Sequence, residues 1–172
     1  MTDDDTSAER IDSRAFRNAL AHYGSGITVV TGLDGDTPVG FTCQAFYSVS
    51  MEPPLVSISV MRTSTTYPRL RRTGRFAINI LAEDQAAVAS QFGRSGIDKW
   101  SGIERSTTPT GMPVIDDALV WIDCKRYAEH EAGDHIIVVA SVLGLRQLDG
   151  PARMPLVFYR GAYGRLIEHR GG

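Results

Sequence analysis

The stretch GFTCQAFYSVSMEPPLV, from Gly40 to Val56, contains the pattern that decides the fold. Its β-branched, aromatic and small residues predict a strand from Val39 towards Val49. The sequence Glu52-Pro53-Pro54 ends that strand, because proline cannot donate a hydrogen bond to a sheet ladder. A second apolar run predicts the next strand over residues 55–60. The connection between the two is too short for a βαβ crossover, so the chain folds back on itself.

The same patterns extend outward from this stretch in both directions. Further strands are predicted where apolar and β-branched residues run together, at 27–31, 76–81, 119–129, 135–148 and 156–166. Helices are predicted at helical apolar spacing, at 13–23 (with Asp12 or Ser13 as the cap), 67–72 and 84–92. The segment Glu131-Ala132-Gly133-Asp134 predicts a hairpin turn, and residues 93–117 a long loop. Strands outnumber helices, so we expect a mostly β fold, an antiparallel barrel or sandwich with flanking helices.

The composition is that of an ordinary globular domain, with 172 residues of which 42% are hydrophobic and 22% charged. Lys and Arg number 18 against 20 Asp and Glu, and the formal net charge of −2 argues against a nucleic-acid partner. The first residues are acidic and no apolar run is long enough to span a membrane. We therefore expect a cytoplasmic protein without membrane contacts, in which residues 1–12 form a flexible N-terminal segment.

Motifs of several common sites do not occur in the sequence. No glycine-rich dinucleotide fingerprint follows a strand, and no GxSxG nucleophile elbow is present. The four histidines and the two cysteines, Cys43 and Cys124, lack the spacing of a zinc site, so no metal is expected.

Two polar segments are candidates for ligand binding. The first contains small hydroxyl and amide side chains that can bond the edge of a polar heterocycle: Thr42, Gln44, Ser48 and Ser50. It fits a half-exposed strand with a solvated face equally well. The second is RTSTTY, at residues 62–67. Its hydroxyls and its arginine can hold a phosphate, and the hydroxyls can also simply cap the following helix.

Seven motifs in one order and spacing resemble a known family. They are GFTCQAFYSVSMEPPLV at 40–56, RTSTTY at 62–67, GRFAINIL at 74–81, Gln85 with Phe92, DKW at 98–100, GDHIIV at 133–138 and PLVFYRGAY at 155–163. Together they are similar to the short-chain flavin reductases, the reductase components of two-component flavin-dependent monooxygenases. The resemblance implies an FMN-binding split β-barrel of Greek-key type, with residues 13–167 as the flavin reductase-like domain.

The resemblance also assigns expected site residues. Those along the flavin ring are Thr42, Cys43, Gln44, Ala45, Ser48, Val49 and Ser50. Those at the flavin phosphate are Arg62, Ser64 and Thr66. Others expected near the cofactor are Asn79, Phe92, Lys99, Trp100 and Tyr159. Asn79 can instead satisfy backbone groups, and Phe92 can belong to the core. His135, in the GDH motif, is the catalytic candidate, expected to position the nicotinamide or to stabilise charge on the reduced flavin.

The function implied by the resemblance is hydride transfer from NAD(P)H to FMN or FAD, with the reduced flavin supplied to a partner oxygenase. NADH is favoured over NADPH, because no arginine cluster lies near the His135 motif. The motifs do not separate FMN from FAD, and of the two we favour FMN. A homodimer with the site near the subunit interface is also implied. Two alternatives stay open, a split-barrel flavoprotein that retains FMN and reduces another acceptor, and a non-catalytic flavin- or haem-binding module.

Overall fold

The computed structural model describes residues 11–148 and 153–167 as a β-rich fold with three helices. The helices are α1 (Ser13–Leu20), α2 (Tyr67–Thr73) and α3 (Ala86–Gly93). The strands of the main sheet are β2 (Thr28–Asp34), β3 (Thr37–Cys43), β4 (Phe46–Met51), β5 (Pro54–Met61), β6 (Arg75–Ile80), β9 (Val120–Ala132) and β10 (His135–Gln147). The remaining short strands are β1 (Ser25–Gly26), β7 (Arg105–Thr107), β8 (Pro113–Ile115), β11 (Val157–Tyr159) and β12 (Ala162–Gly164).

The main sheet is antiparallel and its seven strands follow the order β3-β2-β6-β9-β10-β5-β4. Consecutive strands β3 and β4 therefore lie at opposite edges of one sheet, and Gln44 and Ala45 carry the chain between them. At this crossing the Ser59 backbone N–H donates to the Ala45 carbonyl at 3.0 Å. The sheet must curl to bring β5 against the segment that follows β3. Such a curled sheet with non-sequential strand order agrees with the predicted split barrel, and the mostly β prediction is confirmed.

Apolar side chains pack on both faces of the sheet. Val30 contributes to a cluster with Ile58, Ile78 and Val138, whereas its neighbour Val29 contributes to another cluster, which includes Phe92. Adjacent residues of a strand point to opposite faces, so β2 supports both clusters. The second cluster packs α3 and the segment around Trp100 against the sheet, which places them beside the β3–β4 crossing.

The prediction of one strand from Val39 towards Val49 is wrong. β3 ends at Cys43 and β4 begins at Phe46, on the far edge of the sheet. Strand-forming residues lie on both sides of Gln44 and Ala45, which hides a change of hydrogen-bonding partner that only the tertiary structure shows.

The predicted strand 156–166 is likewise two short strands. β11 and β12 are separated by a turn in which Arg160 and Gly161 have positive φ angles of 49° and 83°. Part of the predicted loop 93–117 forms the two-stranded ladder of β7 and β8. The predicted hairpin turn is present between β9 and β10, where Gly133 has a φ of 62°.

The first helix begins where the sequence predicts it. Asp12 caps α1, with its Oδ2 accepting from the Ala15 N–H at 2.8 Å. The apolar side chains of α1 and the turn after it are exposed, with Phe16 at 54% and Tyr23 at 66%. Most of the predicted flexible segment, residues 1–10, lies outside the described residues. Among the described helices, none has the length and apolar character needed to cross a membrane.

Candidate flavin-binding site

A cleft of about 480 Å³ opens where the chain crosses from β3 to β4, and we call it the first cleft. Nine of the residues expected to bind cofactor or nicotinamide line it: Thr42, Cys43, Gln44, Ala45, Ser64, Thr66, Phe92, Lys99 and His135. They come from five separate segments of the chain, so the fold itself assembles the cleft. Its lining is mostly neutral, with hydroxyl, thiol and amide side chains beside one lysine and one histidine.

The end of β3 forms one wall of the first cleft. The Thr42 hydroxyl donates to the Ala89 carbonyl at 2.5 Å and so ties this wall to α3. The Cys43 thiol is buried and directed at the carbonyls of Ala45 and Ser59, at 3.5 and 3.7 Å. Burial raises the pKa of Cys43 to about 11, so this group is neutral at physiological pH. Cys43 is therefore a small uncharged wall residue and not a reactive thiolate.

The loop before α2 forms the opposite wall. The Ser64 Oγ accepts from the Tyr67 N–H at 3.1 Å, so this hydroxyl caps the first turn of the helix. Thr66 occupies the cap position itself but makes no side-chain capping bond, and its hydroxyl is available to a ligand. Phosphate binding and helix capping were both expected roles for Ser64, and the structure shows the capping role.

A carboxylate on β9 fixes the position of this loop. The Glu129 Oε1 accepts from the Tyr67 hydroxyl at 2.5 Å, and Oε2 pairs with Arg71 at 2.7 Å. Arg126 also donates to Glu129, at 3.0 Å. Burial by itself raises the pKa of Glu129. The hydrogen bonds from Tyr67 and Arg126 and the positive charge of Arg71 lower this pKa by a larger amount, so the net shift is downward. The ionised carboxylate therefore anchors α2 to the sheet.

Lys99 lies on the side of the cleft that faces α3. Its Nζ donates to the Gly40 carbonyl of β3 at 3.0 Å. The Gln91 side chain holds the Lys99 carbonyl at 3.0 Å, which fixes the loop to α3. Burial lowers the pKa of Lys99, and the nearby positive charge of Arg69 lowers it further. Lys99 is thus a partly desolvated cation that an anionic ligand would stabilise.

His135 is the first residue of β10 and lies at the cleft margin with 39% of its side chain exposed. Its Nδ1 is 2.7 Å from the Asp134 Oδ1, and this contact lowers the pKa of the Asp134 carboxyl. A carboxylate accepts only, so Nδ1 is the donor and Nε2 is left for other partners. The two-residue turn containing Gly133 and Asp134 places this imidazole beside the cleft.

Seven expected residues do not line the first cleft: Ser48, Val49, Ser50, Arg62, Asn79, Trp100 and Tyr159. The first three lie on β4, beyond the crossing at the other edge of the sheet. Arg62 pairs with Glu131 at 3.4 Å. Tyr159 belongs to β11, where its ring meets that of His22 edge to face. Trp100 is buried, with its ring edge-on to Phe92 at 5.0 Å between centroids.

Asn79 is fully buried in the sheet and satisfies backbone groups, as one of the two readings of the sequence allowed. Its Nδ2 donates to the Val29 carbonyl at 2.9 Å and to the Thr31 hydroxyl at 3.0 Å. Its Oδ1 accepts from the Ile115 N–H at 2.9 Å. All three side-chain bonds are internal, so Asn79 joins β2, β6 and β8.

Several lining residues are not among those that the resemblance assigned: Phe41, Ser59, Val60, Met61, Thr63, Thr65, Gly93 and Ser95. Of these, Thr63 and Thr65 belong to the RTSTTY segment whose hydroxyls were candidates for a phosphate. Ser59 had a signal, because Ser57 and Ser59 alternate with apolar residues along β5. Ser95 and Gly93 had none, since their place depends on how the loop after α3 packs.

The sequence matches the family described as "Flavin reductase like domain" over residues 20–166. The chain belongs to this family. The resemblance read from the seven motifs is therefore confirmed, as is the expectation of an NAD(P)H-dependent flavin reductase that uses a flavin and NADH.

Similar proteins support this membership. The chain is 40% identical over 154 residues to the "Flavin-dependent monooxygenase, reductase subunit HsaB" of Mycobacterium tuberculosis, covering 90% of this chain and 82% of that protein. It is 40% identical over 155 residues to the "FMN reductase (NADH) SmoA" of Agrobacterium fabrum, covering 90% and 87%. The solved structure of nitrilotriacetate monooxygenase component B from Mycobacterium thermoresistibile matches with a TM-score of 0.91 and 38% identity, over 96% of this chain and 92% of that one.

Proposed function

We propose that the protein transfers a hydride from NADH to a flavin held in the first cleft, and that it then releases the reduced flavin to a separate oxygenase. The observation that carries this proposal is the assembly of nine expected residues, from five segments of the chain, around one cleft. The names of the relatives support it, since HsaB is a reductase subunit of a flavin-dependent monooxygenase and SmoA an NADH-dependent FMN reductase.

The lining residues fit a flavin nucleotide. A bound flavin supplies the ring system that accepts the hydride. Thr42, Gln44 and Ala45 offer the neutral polar and backbone groups that suit such a ring, and Cys43 adds no charge. We propose that the hydroxyl of Thr66 and the ammonium of Lys99, which both line the cleft, hold the phosphate. Arg62 is bound to Glu131 away from the lining, and we assign it no more than a supporting place at the rim.

The role we propose for His135 is positioning of the nicotinamide. Its Nδ1 is committed to Asp134, so the ring is oriented and Nε2 can donate or accept at the cleft margin. Orienting the two rings removes part of the entropic barrier to hydride transfer, and no side chain need act as a nucleophile.

The experiment is NADH oxidation by the purified protein, followed by absorbance with and without added FMN or FAD. We expect oxidation that depends on added flavin. His135→Ala should raise the KM for NADH while leaving flavin affinity unchanged. His130→Ala is the matched control, because His130 lies on the same hairpin but outside the lining of the first cleft. An unchanged KM in His135→Ala removes this residue from that role, and no oxidation with either flavin rejects the reductase proposal.

Release of the flavin distinguishes this function from the flavoprotein alternative. Binding through neutral hydroxyl and backbone groups and a single lysine suits a ligand that must also dissociate. Gel filtration of the protein loaded with flavin should therefore separate the flavin from the protein. A stoichiometric flavin that remains bound would instead favour an enzyme that retains FMN and reduces another acceptor.

We also propose that the protein is a homodimer. Exposed apolar side chains on α1 and β4 support it, including Phe16, Leu20, Tyr47 and Met51, the last at 86% exposure. Large apolar side chains that stay exposed on one chain can be covered in an assembly. Light scattering coupled to gel filtration measures the mass directly, and a monomer at micromolar concentration would contradict the proposal.

A further inference from the structure

A second cleft, of about 340 Å³, adjoins the first. Thr65, Thr66, Ser95 and Lys99 line both, so the two clefts meet at these residues. The junction lies at the end of the first cleft where we place the flavin phosphate. A ligand longer than FMN can therefore continue from one cleft into the other.

The second cleft is lined by two cations, Arg69 and Lys99, and by one carboxylate, Asp98. Arg69 lines it, and its Nε is 2.6 Å from the Asp34 Oδ2. The other oxygen of Asp34 is bound by Arg72, so one carboxylate serves two guanidinium groups. Lys99, at the junction, donates to a neutral carbonyl, and Arg69 is close enough to lower its pKa. Asp98 is the one carboxylate of the lining, and its Oδ1 accepts from the Trp100 N–H at 3.0 Å. Arg69 and Lys99 therefore outnumber the carboxylates that line the cleft, and two such cations favour binding of a phosphate.

The rest of the wall suits an aromatic base. Pro38, Val39, Ile97 and Trp100 line the second cleft, and they present apolar and aromatic surface. The Trp100 Nε1 is buried and has no hydrogen-bond acceptor among residues 11–148 and 153–167. A buried donor without a partner is uncommon, and a polar ligand or water that reached this wall would stabilise it. Phosphate-binding cations beside an apolar wall match one nucleotide unit.

We propose that the second cleft binds the ADP half of FAD, with its second phosphate held by Arg69 and Lys99 and its adenosine against Ile97 and Trp100. The inference rests on the proposed function, because it takes the flavin phosphate to lie at the junction of the two clefts. FMN ends at that phosphate and leaves the second cleft empty. The protein should therefore bind FAD more tightly than FMN, a choice that the sequence motifs did not make.

The experiment is equilibrium titration of the protein with FMN and with FAD, followed by flavin fluorescence. Arg69→Ala should weaken FAD binding about tenfold, since a hydrogen bond to a charged group is lost, and should change FMN binding less than about twofold. Arg72→Ala is the matched control. It removes the other partner of Asp34, but Arg72 does not line either cleft, so we expect both affinities to stay as in the wild type.

A second variant tests the cleft without disturbing the ion pairs. Ile97 is 44% exposed, and Ile97→Glu places a negative charge at the proposed nucleotide wall, so it should weaken FAD binding but not FMN binding. In the wild type, ADP alone should compete with FAD and leave FMN bound. Thermal denaturation of each variant checks that it is folded.

Several outcomes overturn the inference. Equal losses for FMN and FAD in Arg69→Ala would place this side chain at the part that the two flavins share. If Arg69→Ala instead raised the KM for NADH, measured with FMN, and left the affinity for FAD unchanged, the second cleft would be assigned to the nicotinamide dinucleotide. Failure of the proposed function has a different signature, since the wild type would then bind flavin but oxidise no NADH.

Discussion

Replacement of Asn79 by alanine separates the two readings of this residue. The change removes three buried hydrogen bonds, those that Asn79 donates to the Val29 carbonyl and the Thr31 hydroxyl, at 2.9 and 3.0 Å, and the one that it accepts from the Ile115 N–H at 2.9 Å. Each bond contributes about 1 kcal/mol, and a buried group that loses its partner costs about 1–3 kcal/mol. Thr31 keeps its bond to the Pro113 carbonyl, so the main losses fall on the two backbone groups.

The expected cost is about 3 kcal/mol of the free energy of unfolding. For a domain of this size that corresponds to a fall in Tm of about 6–12 °C. Flavin affinity at a temperature where the variant is folded should equal that of the wild type, because Asn79 is fully buried and all its bonds are internal. The assay is thermal denaturation followed by circular dichroism, paired with flavin titration at low temperature.

Ser48→Ala is the control, since Ser48 is exposed on β4 and should change neither quantity. An Asn79→Ala protein with the wild-type Tm and weakened flavin binding would refute the reasoning. That result would return Asn79 to the cofactor site that the family resemblance first suggested.

Two further predictions concern ionisable groups. Cys43 and Cys124 have pKa values raised by burial to about 11 and about 12, so the native protein should react slowly with a thiol reagent at mildly alkaline pH. Both thiols should titrate in denaturant, and rapid labelling of the native protein would contradict this. Glu129 has a lowered pKa, so its ionised form stabilises the fold above the ordinary value of 4.5 and that stability is lost as the pH falls through the lowered value. Glu129→Gln should reduce Tm at neutral pH and flatten its acid dependence; an unchanged pH profile would count against the anchor.

The sequence predicted the parts of the fold that depend on local pattern. The strands at 76–81 and 135–148 were found within about a residue, because their runs of apolar and β-branched residues favour strands. The break between Cys43 and Phe46 was missed, because strand propensity contains no information about which edge of the sheet a strand joins. Only the order of the whole sheet shows that Gln44 and Ala45 cross from one edge to the other.

The candidate site likewise contains residues that the sequence motifs predicted and residues that only the folded structure shows. His135 and Lys99 carried a signal only through their motifs, and the structure does bring both to the cleft. Arg62 lies beside the hydroxyl residues in sequence, yet its side chain is turned to Glu131. Arg69 lies two residues beyond the RTSTTY motif and lines the second cleft, because α2 packs on β2 and Arg69 pairs there with Asp34. Charge near a motif in sequence is thus a poor guide to charge near the site in space.

The β9–β10 hairpin links the two ends of the reaction that we propose. Glu129, on β9, anchors α2 and with it the loop that holds Thr66 at the phosphate end. His135, six residues later on β10, lies at the nicotinamide end. A long hairpin within a sheet is a stiff element, with β9 and β10 paired from Val120 with Gln147 to Ala132 with His135. The same two strands therefore fix the distance between the groups that we propose to bind the two nucleotides. The loop around Lys99 is held by other elements, since Gln91 of α3 donates to the Lys99 carbonyl and Lys99 donates to the Gly40 carbonyl of β3.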